Sequence, residues 1–260
     1  MLTRLLPRLY AALGAGRWLR NPLLERAYLA AFFAYKRFAE DPFAALVKTQ
    51  PGLFRGGAVL DAGANAGYTA TVFAGAIDPT DRVYAFEPEP VNARRLRGVV
   101  ARRRLGDRIE VIESAVGDRS GEIDLIVNPT HPGDHRIGSG AGSIRVPLVS
   151  LDDYVEAHGI RPVKFVKIDV QGFELAVSQG MERLMAHTPR LAVAFEYSEE
   201  TFQSFEYEGT ELLRFYEDRG FHLYVLARSA RLTPLTREGL ADWERRHGYA
   251  DVLAVRERLS

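Results

Sequence analysis

From residue 58 onward, short runs rich in Val, Ile, Phe and Tyr alternate with stretches whose apolar residues recur at helical spacing. The runs 58–64, 82–86, 109–116, 163–170, 191–197, 221–227 and 251–255 predict strands. Helices are expected at 67–77, 90–104, 174–187 and 208–219, between several of them. Strands and helices alternating in this way predict an α/β fold, a doubly wound sheet of about seven strands. The last two strands are separated by a helical segment at 236–247 and predict a closing antiparallel edge. Between 122 and 149 the helical spacing gives way to two β-like pieces around the turn-rich stretch from Asn128 to Asp134, which predicts a hairpin insertion. Residues 1–55 read as two or three short helices ending at Pro51-Gly52 and Gly56-Gly57. The expected organisation is therefore an N-terminal helical extension over 1–55 and one domain over 56–260 carrying the insertion.

Composition narrows this picture. At 260 residues, 47% of them hydrophobic, the chain can bury one α/β core with appendages but not two enzyme domains. The absence of cysteine excludes a disulfide framework, a thiolate metal site and a cysteine nucleophile, and it suits a reducing cytoplasm, the expected location. Basic and acidic residues balance at 34 each, so nothing in the whole-chain charge points to nucleic acid. The balance is local, however. Residues 1–60 hold nine basic residues against three acidic ones, a net of +6, which leaves −6 for the rest. The apolar runs at 9–16 and 27–35 are too short to span a bilayer, and the first 16 residues make a poor signal peptide despite Arg4, Arg8 and Gly16. The basic segment reads as a solvated helical cap, with peripheral contact to anionic lipid, or a cover over an acceptor site, as alternatives.

The strongest local signal is Val59-Leu60-Asp61-Ala62-Gly63-Ala64-Asn65-Ala66-Gly67, an apolar strand entering a Gly-rich turn and then a helix. Glycines here let the backbone approach a nucleotide. The turn lacks the G-x-G-x-x-G pattern of a nicotinamide site, and a carboxylate at Asp61 would repel a pyrophosphate but suit the ammonium of a methionine moiety. Glu87, 24 residues beyond Gly63 at the end of the next strand, has the spacing of a ribose-binding acid.

Together with Val166-Lys167-Ile168-Asp169-Val170-Gln171-Gly172-Phe173-Glu174, these motifs resemble the FkbM-type methyltransferases over about residues 58–197. The resemblance implies a class I methyltransferase, Rossmann-like fold with S-adenosylmethionine as donor and usually a hydroxyl acceptor, often on a sugar, glycolipid or polyketide. It also implies cofactor contacts at Asp61, Gly63, Asn65, Gly67 and Glu87, with Ser114 and Ala115 beside the adenine. The family usually has Glu where this chain has Gln171.

An alcohol acceptor calls for a base near the donor methyl. Asp169 and Glu196 follow central strands, so both are expected to face the crevice where open α/β sheets bind ligands, with Asp169 the first choice. Glu174 reads as a first-turn helix carboxylate. His131 and His135 sit in the insertion; Pro132 and Gly133 between them break the helical face a metal pair would use, and His135 is the third catalytic candidate. No metal site is expected. The rival readings are a nucleotide-binding dehydrogenase and a catalytically silent domain that keeps the fold.

Overall fold

In the computed structural model, which describes residues 21–128, 135–140, 142–205 and 207–259, helix α1 (Pro22–Tyr35) leads through a π-helical turn (Lys36–Glu40) into α2 (Phe43–Thr49). There follow β1 (Ala58–Ala62), α3 (Tyr68–Ala74), β2 (Val83–Phe86), α4 (Pro90–Arg103) and β3 (Ile109–Ile112). The next described residues form β4 (Ala115–Val116), β5 (Gly121–Ile126), β6 (Arg136–Ile137) and β7 (Ser143–Val149). After α5 (Leu151–Ala157) come β8 (Val163–Ile168), α6 (Glu174–Gln179), α7 (Glu182–His187) and β9 (Ala192–Tyr197). The last elements are α8 (Glu199–Phe202), α9 (Gly209–Glu217), β10 (His222–Leu226), β11 (Leu232–Pro234), α10 (Arg237–His247) and β12 (Ala250–Val255).

Eight strands form one sheet in the order β11-β10-β12-β9-β8-β1-β2-β3. The five from β3 to β9 pair in parallel, and β12 runs antiparallel to both its neighbours. This is the doubly wound α/β sheet expected, with its antiparallel last strand. The place of that strand differs: β12 lies between β9 and β10 and not at an edge. Its residues Val252, Leu253, Ala254 and Val255 are buried, so both faces need cover, whereas the edge falls to the short, largely exposed β11, which ends at Pro234.

Two other boundaries move. The run 109–116 divides, because the chain leaves the main sheet after Ile112 and Ala115–Val116 pairs with β7 in a second sheet of order β4-β7-β5-β6. The helix expected over 174–187 breaks at Gly180, whose carbonyl accepts from Asp152 N–H and where a Cβ would lie 1.9 Å from the Gly117 carbonyl oxygen. In the insertion, β5 pairs antiparallel with β7 on one side and with the short β6 on the other.

Successive strand residues point to opposite faces, so Leu60, Val166, Ile168, Val193 and Phe195 pack under α5, α7 and α9, while Val59, Val83, Phe165 and Ala194 pack under α3 and α4. Each large apolar side chain buried in this way stabilises the fold by roughly 1.5–3 kcal/mol. The N-terminal elements share the second layer. Phe43 and Phe54 join Phe73 and Phe165 with ring centroids 4.5–6.3 Å apart, and Tyr28, Leu29 and Phe32 of α1 pack on Ala66, Tyr68 and Val99. The apolar run at 9–16, Arg4, Arg8, Arg17, Arg20 and His131 lie outside the described residues. No helix among the described residues is long and apolar enough to cross a membrane.

Candidate active site

Parallel strands that end together leave a crevice at their carboxyl ends. Here a cavity of about 300 Å³ lies beyond the ends of β1, β2, β8 and β9. Leu125, His135 and Ile137 of the insertion wall one side of it; Phe32, Tyr35, Lys36 and Glu40 of α1 and the π-turn wall another.

The Gly-rich turn shapes its floor. Gly63 has φ +78°, and a Cβ there would lie 1.9 Å from the carbonyl oxygen of Asp169, so only glycine lets the ends of β1 and β8 pass so closely. Asn65 also adopts positive φ, and its N–H donates to Glu87 Oε2 at 2.8 Å. Gly67 caps the start of α3 from outside it and packs against Leu96, outside the lining residues. Glu87 Oε1 accepts from Glu89 N–H at 3.0 Å. Burial pushes the Glu87 carboxyl up to about 7 even though these two amides pull it back. Ser114 and Ala115 line the cavity, but the Ser114 hydroxyl is committed to carbonyls, at 2.8 Å from Ala115 and 3.0 Å from Pro147, which fixes β4 beside β7.

Asp61, expected as a cofactor contact, does not reach the cavity. It is completely buried and outside the cavity lining, because it lies within β1, in a sheet covered on both faces. Its Oδ2 accepts from Thr69 Oγ1 at 2.7 Å, and its Oδ1 lies 3.4 Å from Lys167 Nζ. Lys167, which sequence reasoning passed over, is also buried. Its ammonium donates to the Gly63 carbonyl at 3.0 Å and lies 3.2 Å from Asp169 Oδ2. Burial alone would lower the Lys167 pKa, but Asp169 and Asp61 outweigh it and raise it. One ammonium thus ties together Asp61, the glycine turn and Asp169.

Asp169 and Glu196 both line the cavity, side by side, since β8 and β9 are in register with Ile168 opposite Phe195. Between them lies Gln171, held at φ +56°, whose amide Nε2 donates at 3.2 Å to Asp169 Oδ1 and at 3.2 Å to Glu196 Oε1. The two carboxyls are driven apart in acidity. Burial would raise Asp169, but the ammoniums of Lys167 and Lys36 and the Gln171 amide prevail and hold it below the usual carboxylate range. Burial raises Glu196 well above that range, reinforced by Asp169, Glu174 and Asp251. Glu174 is outside the lining; it accepts from Val170 and Gly172 N–H at 3.0 and 2.9 Å and so closes the turn carrying Gln171. His135 is brought to the cavity on the insertion wall, with Nδ1 accepting from Asn128 N–H at 3.1 Å and Nε2 3.9 Å from Glu89 Oε2.

Tyr35, Lys36, Glu40 and Tyr68 were also missed, since no local motif links them to the strand ends. Lys36 pairs with Glu40. The buried Tyr68 hydroxyl has no hydrogen-bond partner among the described residues although Tyr68 lines the cavity, so it is a polar group able to bond a ligand there. Among the described residues no cluster of three or more His, Asp or Glu could hold a metal ion.

A sequence pattern described as the methyltransferase FkbM domain matches residues 61–223. The chain is 30% identical over 181 residues to the 2-O-methyltransferase NoeI of Sinorhizobium fredii, a match covering 60% of this chain and 68% of that protein. It is 33% identical over 128 residues to the hexuronic acid methyltransferase AglP of Haloferax volcanii, covering 46% of this chain and 48% of that protein, so the chain spans about half of AglP. Among solved structures, cofactor-bound Rv0187 from MTB shares the fold with a TM-score of 0.50 at 16% identity, over 88% of this chain and 90% of that one.

Proposed function

The chain belongs to the FkbM methyltransferase family, and from that premise we propose that it transfers a methyl group from S-adenosylmethionine to a hydroxyl oxygen of a sugar-bearing acceptor. The observation that carries the proposal is a single cavity that Glu87, Asp169, Gln171 and Glu196 line together. The donor set fits the cofactor. Glu87 has lone pairs left for two ribose hydroxyls after its backbone bonds, Asp169 is an anion suited to an ammonium, and the Tyr68 hydroxyl is free to donate. Ser114, Ala115, Val116 and Leu125 would flank the adenine. Asp61 would act one step removed, by fixing Lys167 and through it the turn and Asp169.

The bound cofactor supplies an electrophilic methyl on a sulfonium, leaving the protein to align, desolvate and take a proton. Glu196 is better suited than Asp169 to the proton, because burial and its acidic neighbours raise its pKa and so make it the stronger base, whereas Asp169 is held below the usual carboxylate range. Gln171 keeps the two groups distinct: its one amide restrains both carboxylates without adding a charge. The names of NoeI and AglP, a 2-O-methyltransferase and a hexuronic acid methyltransferase, support a sugar hydroxyl as acceptor.

The test is titration with S-adenosylmethionine and NAD, followed by mass spectrometry of hexosides and hexuronides incubated with isotopically labelled donor. Selective S-adenosylmethionine binding and an O-linked labelled methyl are expected. Preferred NAD binding would overturn the cofactor, and cofactor binding without transfer to any hydroxyl would leave a silent domain.

A further inference from the structure

Helix α1 is apolar on two sides. Tyr28, Leu29 and Phe32 are buried against the domain, yet Leu24, Ala27, Ala31 and Ala34, with Phe38 in the following turn, are exposed at the helical spacing of one outward face. Leu23 and Phe38 are 69% and 68% exposed. A helix with a second apolar face calls for an apolar setting on that side too, and here Leu24 and Phe38 of the second face are exposed to water.

What covers the outward face is indicated by its charge. Beside α1 lies a groove floored by Leu29, Phe33 and Val99 and rimmed by Arg26, Arg102 and Arg103. Among the described residues no carboxylate is paired with these three guanidiniums, whereas the neighbouring Arg94, Arg95 and Arg97 are paired with Glu25 and Glu113. Arg103 lies 4.6 Å over the ring of Phe33, and Arg37 lies 5.6 Å from the centre of the Phe38 ring. Aromatic and aliphatic side chains with unpaired arginines beside them match an interface that is apolar below and anionic above. A second copy of the chain would bring the same guanidiniums toward each other and offers no such complement.

We propose that the outward face of α1, with Phe38 and the arginines of the α1–α4 groove, is a docking surface for a membrane of anionic phospholipid. The helix lies in the interface plane and does not span it. Through Phe32 and Tyr35 the same helix walls the active-site cavity, so docking sets that cavity beside the lipid headgroups. The proposal is independent of the methyl-transfer reading.

Sedimentation of the full chain with sucrose-loaded vesicles tests it, comparing phosphatidylcholine alone with phosphatidylcholine containing phosphatidylglycerol. Binding only to the anionic vesicles, weakened by salt, is expected. Arg102→Gln/Arg103→Gln is expected to weaken it about 25-fold, from roughly fivefold for each arginine near an anionic surface, and Leu24→Ser/Phe38→Ser to abolish it. Arg161→Gln, an exposed arginine just before the amino end of β8 and so at the other end of the sheet from the cavity that α1 walls, is expected to change little. All substituted side chains are at the surface, and thermal melting checks that each variant is folded. No binding at low salt, equal binding to neutral vesicles, or unchanged binding by both double variants would overturn the proposal. So would a dimer in analytical ultracentrifugation that Leu24→Ser/Phe38→Ser dissociates, without vesicle binding by the unaltered chain.

Discussion

Replacing Gln171 by Glu restores the residue usual in the family and places a third carboxylate between two others. The amide that donates to Asp169 and Glu196 at 3.2 Å each would become a group with nothing to donate. Two charge-assisted hydrogen bonds, worth about 1.5–3 kcal/mol each, are lost. At an effective dielectric of about 20, each like-charged pair about 4 Å apart adds repulsion of about 4 kcal/mol. Repulsion on that scale exceeds the cost of holding a proton, so the folded variant is expected to bind about one proton more than the wild type near neutrality. A carboxyl whose folded pKa is raised contributes stability that is complete below its unfolded pKa, about 4.5, and is lost as pH rises through the folded value. The melting temperature of Gln171→Glu should therefore fall more steeply than that of wild type between pH 6 and 8. One extra proton is about 1.4 kcal/mol per pH unit, or about 3–6 °C per pH unit for a chain of this size. Gln171→Met, which loses the hydrogen bonds and adds no charge, should melt lower at every pH without the added slope. Differential scanning calorimetry across this range decides the matter. Parallel wild-type and Gln171→Glu lines would refute the bridging role of the amide.

Four further outcomes follow from the same geometry. Glu87→Gln should weaken S-adenosylmethionine binding about 10- to 100-fold by calorimetry with the fold intact, as expected for removing a charged acceptor. Glu196→Gln should lower kcat by about 10² to 10⁴ with cofactor affinity nearly kept; the rise of kcat/KM with pH through the raised Glu196 pKa should vanish with it, while Asp169→Asn should lose affinity first. Lys167→Met leaves Asp61 and Asp169 without their ammonium and should destabilise by about 3–5 kcal/mol, lowering the melting temperature by roughly 10 °C or more. EDTA should leave methyl transfer unchanged, and loss of turnover restored by magnesium would place an ion on Asp169 and Glu196.

What the sequence disclosed and what it hid divide along one physical line. Strand runs, the Gly-rich turn and the acids at strand ends are local patterns; once strands are parallel neighbours, Glu87, Asp169 and Glu196 must converge at one end of the sheet. Burial is a property of the assembled layers and is not local. Asp61 reads as a strand-end carboxylate, yet sheet neighbours and the helices on both faces bury it completely. Lys167 stands inside the motif of a central strand and carries no chemical signal of its own. A lysine in a parallel strand covered on both faces must find an anion, and the acids at positions 61 and 169 were the available partners. The sequence carries that inference, because the run 163–170 reads as a central strand. The wall formed by Tyr35, Lys36 and Glu40 is not legible there, because it depends on how α1 lies over Tyr68 and Val99, a packing of side chains far apart along the chain. Gln171 stands between these cases. Its difference from the family's Glu was visible, but its meaning required the register that sets Ile168 opposite Phe195 and so places one amide between two carboxylates. With Lys167 already neutralising one acid and Lys36 paired with Glu40, a third carboxylate there would have no cation of its own, and an amide is the side chain of nearly the same shape that adds no further charge.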